Sequence, residues 1–255
     1  MDKSNAPDQY AHGYESALTL VQHASRRAEK QAAFLLPHLR SGMSLLDCGC
    51  GSGSITVGLA KAVAPGKTVG IDVSDVEIER ARARASDQGL TTALFGVGNV
   101  YALDFPNDSF DVVFSHNVLE HLHDAARAVA EMQRVLKPGG LIAIRDTDMG
   151  GFIVQPPEKL FSDAQALFEL DWCTVSGDPR FGRRLPEVLG QAGLAELHVS
   201  ASYDVYFGED AKTYFVDISA ARFSEKDFVE KVLEAGPLPL ALLRRAVLFA
   251  YGLGS

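Results

Sequence analysis

Three glycines at alternate positions, in the run Leu45-Leu46-Asp47-Cys48-Gly49-Cys50-Gly51-Ser52-Gly53-Ser54, are the feature of this chain best suited to chemistry. Backbone without side chains turns sharply and lets a ligand come close, and a helix that begins directly after it points unpaired N–H groups at that ligand. The spacing is G-x-G-x-G; a dinucleotide fingerprint would need glycine where Ser54 stands. Asp72 ends the next apolar run, the edge at which a carboxylate accepts from both hydroxyls of an adenosine ribose. Asp47, just before the glycines, either fixes the loop or meets the positive end of the bound molecule.

Other reactive side chains are weaker candidates. His121 and His123 flank Leu122, but two residues apart on a helix they face different ways, so no metal site is expected. Cys48 and Cys50 suit a tight buried turn as small side chains, and with Cys173 they make an odd number, which argues against a disulfide framework. Arg26, Arg27 and Lys30 read as a solvated helix face. Asp146, after Arg145, orients a substrate, accepts a proton, or caps a turn. Tyr203, Tyr206 and Phe207 either line an apolar substrate cavity or pack in a core.

These residues need a scaffold, and short apolar runs alternating with helical stretches supply one. Residues 44–48, 68–72, 92–97, 110–115 and 141–145 read as strands of a mostly parallel, doubly wound α/β sheet of Rossmann-like type. Residues 14–36 carry Leu18, Val21, Ala24, Ala28, Ala32 and Leu35 at helical spacing, limited by Pro37. Ser74 and Glu77 form a capping box for a helix reaching residue 88, and Asp124 caps one ended by Lys137-Pro138-Gly139-Gly140. Residues 183–192 form a helix closed by Gly193, residues 197–206 alternate like a strand, and 245–251 is a last strand or a last helical turn. The organisation expected is an N-terminal helical lid (1–40), a cofactor-binding core (41–150), an inserted substrate lid (151–182), and the rest of the sheet with C-terminal helices (183–255).

The composition excludes several classes. Of 255 residues 47% are hydrophobic and 22% charged, so long disordered tracts are not expected. A formal charge of -9 disfavours nucleic acid as a partner. No run is long and apolar enough for a membrane span, and the start MDKSNAPDQY lacks a signal-peptide centre, so a cytoplasmic location is expected.

DCGCGSG, GID, FGVGNVYALDFPNDSFDVVFSHNVLEHL and RVLKPGGLIAIRD, in this order, resemble the consecutive motifs of class I S-adenosylmethionine-dependent methyltransferases. The chain is most similar to the branch that includes ubiquinone and menaquinone biosynthesis enzymes and many natural-product methyltransferases. The resemblance is close over residues 10 to about 150 and loose over 183 to 200. It implies that Gly49, Gly51 and Gly53 pass beneath the methionine and ribose, that Asp47 lies near the ammonium, and that Asp72 binds the ribose. It further implies that Val73 packs on the adenine, that Asn99 meets its amine where aspartate is more usual, and that the Val100 N–H meets a ring nitrogen. Ser115 and His116 fall beside the ammonium and the transferred methyl; Tyr14 and Gln31 fall where the methionine carboxylate is closed over.

The activity implied is in-line displacement of the sulfonium methyl onto an O, N or C atom of a small molecule, with S-adenosylhomocysteine as product. His116 is the nearest base if the acceptor needs one. The expected assembly is a monomer or homodimer. A nicotinamide oxidoreductase is disfavoured by Ser54, and a cofactor-binding scaffold without catalysis is the alternative from outside the enzymes.

Overall fold

Five strands lie side by side in the order β3-β2-β1-β4-β5, every neighbouring pair parallel: β1 Leu45–Cys48, β2 Thr68–Asp72, β3 Ala93–Val97, β4 Phe110–His116 and β5 Leu136–Arg145. The computed structural model describes residues 23–154, 159–173, 177–208 and the single positions 226 and 230. The chain divides into two units, one of residues 1–147 with 180–197, the other of 148–179 with 198–255. The sheet belongs to the first.

Chain order reverses at β1, which is flanked by β2 and β4, so the ends of these strands open a crevice where α/β sheets take ligands. Every residue of β1 and β2 is buried, as expected for strands covered on both faces. Side-chain alternation divides the core. Leu45, Val112 and Phe114 pack with Leu59 and Val63 of α2 (Thr56–Val63), while Leu46, Val113 and Ile71 pack with Val129 and Met132 of α4 (Ala125–Val135). Each such side chain, fully buried, contributes about 1.5–3 kcal/mol.

The five strands expected between residues 44 and 145 are all present, and one is longer than expected. Lys137-Pro138-Gly139-Gly140 does not separate α4 from a strand at 141; it lies within β5, where pairing slips between Phe110–Leu136 and Val112–Leu141 and Gly139 has φ +75°. The helix caps are partly as expected. Asp124 accepts from the Arg127 N–H at 3.0 Å, and Ser74 accepts from the Glu77 N–H at 3.3 Å to start α3 (Asp75–Asp87). The reciprocal half of that box is missing, because the Ser74 N–H donates to Asp72 Oδ1 at 3.0 Å instead.

Of the long first helix, residues 14–22 lie outside the described residues. The rest is interrupted: Arg27 is extended (φ -140°, ψ 147°), and only α1, Ala28–Gln31, follows before a 3₁₀ turn at Leu36–His38. Its apolar stripe is nonetheless buried at Ala28, Ala32 and Leu35. In the same unit, α6 (Leu185–Gln191) follows a 3₁₀ turn at Phe181–Arg184, and Gly193 takes φ +78° just after it.

The second unit contains α5, Lys159–Cys173, whose Leu167 and Trp172 are buried. Residues 197–206 form no strand. A period-two pattern becomes a strand only with a ladder partner, and among the described residues this run has none; Val199, Tyr203 and Val205 are exposed. Residues 245–251 lie outside the described residues. No described helix is long and apolar enough to cross a membrane.

Candidate functional site

The carboxyl ends of β1, β2 and β4 enclose a cavity walled by the glycine loop on one side and by residues 114–122 on another. The loop is held to the sheet by its own backbone. Gly49 and Cys50 donate to the Ile71 carbonyl at 2.8 and 2.9 Å, and the Gly51 N–H donates to Asp72 Oδ2 at 2.9 Å. Asp72 therefore uses one oxygen to fix the loop and the other to fix Ser74. Burial raises its pKa, with Glu77 adding repulsion and the backbone donors opposing.

The three glycines differ in role. Gly49 has φ +76°, and a side chain there would overlap Val118. Gly53 is not a wall of the cavity: a Cβ would meet Ala81 and Phe95, so it is the place where loop and α3 close together. Gly51 faces open space, with only Glu77 Oε2 nearby at 3.8 Å.

Asp47 is almost fully buried and accepts from the Thr56 hydroxyl at 2.6 Å. Burial pushes its carboxyl up to about 7, Asp72 adding to the effect and Thr56 opposing it. Asp47 thus ties β1 to α2 and also lines the cavity.

His116 ends β4 and lines the cavity, 8% exposed. Its Nε2 lies 3.3 Å from an Arg145 guanidinium nitrogen. Arginine can only donate, so Nε2 accepts and the ring proton sits on Nδ1, which is buried without a partner. Burial, with Arg26 and Arg145 close by, holds the imidazole well below its usual range. A base at this position would first have to release Arg145.

Behind His116 two carboxyls are buried together. Glu120 accepts from the Thr147 N–H, and Asp146 Oδ1 accepts from the Val118 N–H at 2.9 Å. Burial raises both, and the Glu120 charge further opposes ionisation of Asp146. Asp146 is a positioning residue here: it pins the turn after β4, where Asn117 has φ +55°, and is not a wall of the cavity.

The cavity thus brings together Asp47, Gly49, Gly51, Asp72, Val73, Asn99, Val100 and His116 from the sequence reading. Asn99 arrives already engaged, its Oδ1 accepting from the Tyr101 N–H at 3.0 Å. Ser115 is fully buried and Gln31 Oε1 accepts from the Arg27 N–H at 2.8 Å; neither lines the cavity. Tyr14 lies outside the described residues. Tyr203 and Tyr206 belong to the second unit and are 63% and 36% exposed.

Sequence reasoning passed over Arg26, His23, Glu77 and Val118, all cavity residues. Arg26 resembled a solvated charge because periodicity treated residues 14–36 as one straight helix. Among the described residues no cluster of three His, Cys, Asp or Glu side chains is arranged to hold a metal.

A family model described as a methyltransferase domain matches residues 39–198. The probable methyltransferase ltbC of Aspergillus luteorubrus is 32% identical over 92% of this chain and 88% of that one. The 27-O-demethylrifamycin SV methyltransferase of Amycolatopsis mediterranei is 34% identical, over 62% of this chain and 57% of its own length. Among solved structures, the YcgJ protein of Bacillus subtilis superposes with a TM-score of 0.59 at 19% identity, over 80% of this chain and 82% of that one.

Proposed function

The chain belongs to the class I methyltransferase family, and from that premise we propose that it moves the methyl group of S-adenosylmethionine to an O, N or C atom of a small molecule. The observation that carries this reading is the carboxylate of Asp72 beside an open glycine loop, in one cavity at the topological switch point. The relative named as a 27-O-demethylrifamycin SV methyltransferase supports a small-molecule metabolite as acceptor.

The residues present suit such a cofactor. Glu77 Oε2, buried and unpartnered, and the open face of Gly51 leave space and an acceptor for a polar nucleoside. Asp72 would hold the ribose, Val73 would pack on the adenine with the Val100 N–H to a ring nitrogen, and Asp47 would meet the ammonium. Arg26 supplies a guanidinium for the methionine carboxylate. The cofactor, when bound, provides a methyl on a sulfonium that is already a good leaving group. The protein's part is to align the acceptor and exclude water, and alignment of this kind supplies roughly 7–11 kcal/mol.

His116 contributes by donating from Nδ1 to the acceptor or to the ligand beside it. Replacing His116 with alanine is expected to lower turnover about ten- to a hundredfold, the usual scale for one buried donor, with cofactor affinity changed less than about threefold. Steady-state kinetics at saturating cofactor check this, and normal turnover would remove His116 from the mechanism.

Asp47 sets a pH dependence. The ligand's ammonium pairs with the ionised carboxylate, so a proton must leave as the ligand binds. Affinity for S-adenosylhomocysteine, measured by calorimetry, is expected to fall as pH drops through about 7, approaching tenfold per unit. Asp47→Asn should flatten the curve; an unchanged curve would assign it to another group. For the empty fold the sign is opposite: stability favoured by the protonated carboxyl is lost as pH rises from 3.8 to about 7.

The activity itself is tested by titrating S-adenosylmethionine against NAD, then incubating with methyl-labelled cofactor and a metabolite panel. Heat with NAD alone would reverse the reading. Binding without any labelled product would favour a scaffold.

A further inference from the structure

Glu77 stands in the first turn of α3, 1% exposed, on the wall of the cavity. Its sequence position assigns it to the capping box, yet the Ser74 N–H it would accept from is taken by Asp72 Oδ1. One carboxylate oxygen, Oε1, is paired with Arg80. The other, Oε2, is buried with no hydrogen-bond partner.

A carboxylate oxygen left in this state is costly, and in a native site it points to a donor that arrives with a ligand. The direction of approach is open, since Gly51 presents no side chain and its missing Cβ would lie 3.8 Å from Oε2. Arg80 already balances the charge, so a neutral O–H completes the oxygen's bonding without leaving a charge over. Asp72, five residues earlier in the chain, has one lone pair of each oxygen committed to the backbone.

We infer that Glu77 Oε2 accepts a hydrogen bond from one of the two ribose hydroxyls, so that two carboxylates, not Asp72 alone, select the sugar. This rests on the adenosyl reading of the cavity and adds a specificity-determining residue to it. Glu77 and Asp72 divide the vicinal hydroxyls between them.

The test is calorimetric titration of S-adenosylhomocysteine and its 2′-deoxy and 3′-deoxy forms into the full chain, with Glu77→Met and Glu77→Gln alongside. The wild type should lose about tenfold or more for at least one missing hydroxyl, and in Glu77→Met that loss should shrink to below about threefold while the loss for the other hydroxyl persists. Glu77→Gln, which keeps an acceptor oxygen, should retain part of the discrimination. A purely structural Glu77 would leave both hydroxyl penalties unchanged in both variants, and that result overturns the inference while leaving the adenosyl site standing. Absence of any binding by the wild type overturns both. Melting curves without ligand show that the variants fold.

Discussion

Asp72→Ala is expected to weaken binding of S-adenosylhomocysteine by two orders of magnitude or more. The carboxylate would do two jobs at once: it holds the loop through the Gly51 N–H at 2.9 Å, and on the proposed reading it accepts from a ribose hydroxyl at the strand end. Hydrogen bonds to a charged group are each worth about 1.5–3 kcal/mol, so losing two corresponds to roughly 10²- to 10⁴-fold. Asp72→Asn keeps the shape and one acceptor oxygen, and should fall between the parent and the alanine variant. Because burial already disfavours this carboxylate, the loss should appear in affinity far more than in melting temperature. Calorimetry on both variants decides it; affinity equal to wild type in Asp72→Ala would remove the residue from the site.

Gly49→Ala should show the reverse pattern, a large loss of stability. The residue sits at φ +76°, which costs an L side chain about 1–2 kcal/mol, and its Cβ would overlap Val118, where overpacking costs about 1–3 kcal/mol more. The sum, roughly 2–5 kcal/mol, lowers the melting temperature of a domain this size by about 5–15 °C. Gly51→Ala, with φ +49° and open space around it, should pay only the conformational part yet obstruct the ligand. Adding Val118→Ala to Gly49→Ala should recover the packing share and leave the backbone share. A melting temperature of Gly49→Ala equal to that of the parent would rule out the overlap.

The strands and the loop were legible because both are written in local pattern: four-to-six-residue apolar runs, glycines at alternate positions, an aspartate at the following strand end. Asp124 and Ser74 were legible as caps for the same reason. What escaped was decided by competition between neighbours. Glu77 reads as half of a capping box, and nothing in the spacing says that Asp72 reaches the Ser74 N–H first. Asn99 reads as an adenine contact, but its carbonyl oxygen closes its own turn on Tyr101. Arg26 reads as solvated because the break at Arg27 has no proline or glycine to announce it. His116 was found by position alone; that Arg145 takes its lone pair depends on pairing His116 with Arg145 across β4 and β5. The alternation of 197–206 was real, but alternation cannot supply a neighbouring strand.

Val118 resting on Gly49 makes two stretches far apart in the chain answerable to each other. Drift at the first place is constrained by the second: a lineage that enlarged Gly49 would first have to trim Val118, because the enlarged residue against the intact valine would fold poorly. A side chain larger than glycine at the first site should therefore occur among descendants of this chain only beside a smaller residue at the second.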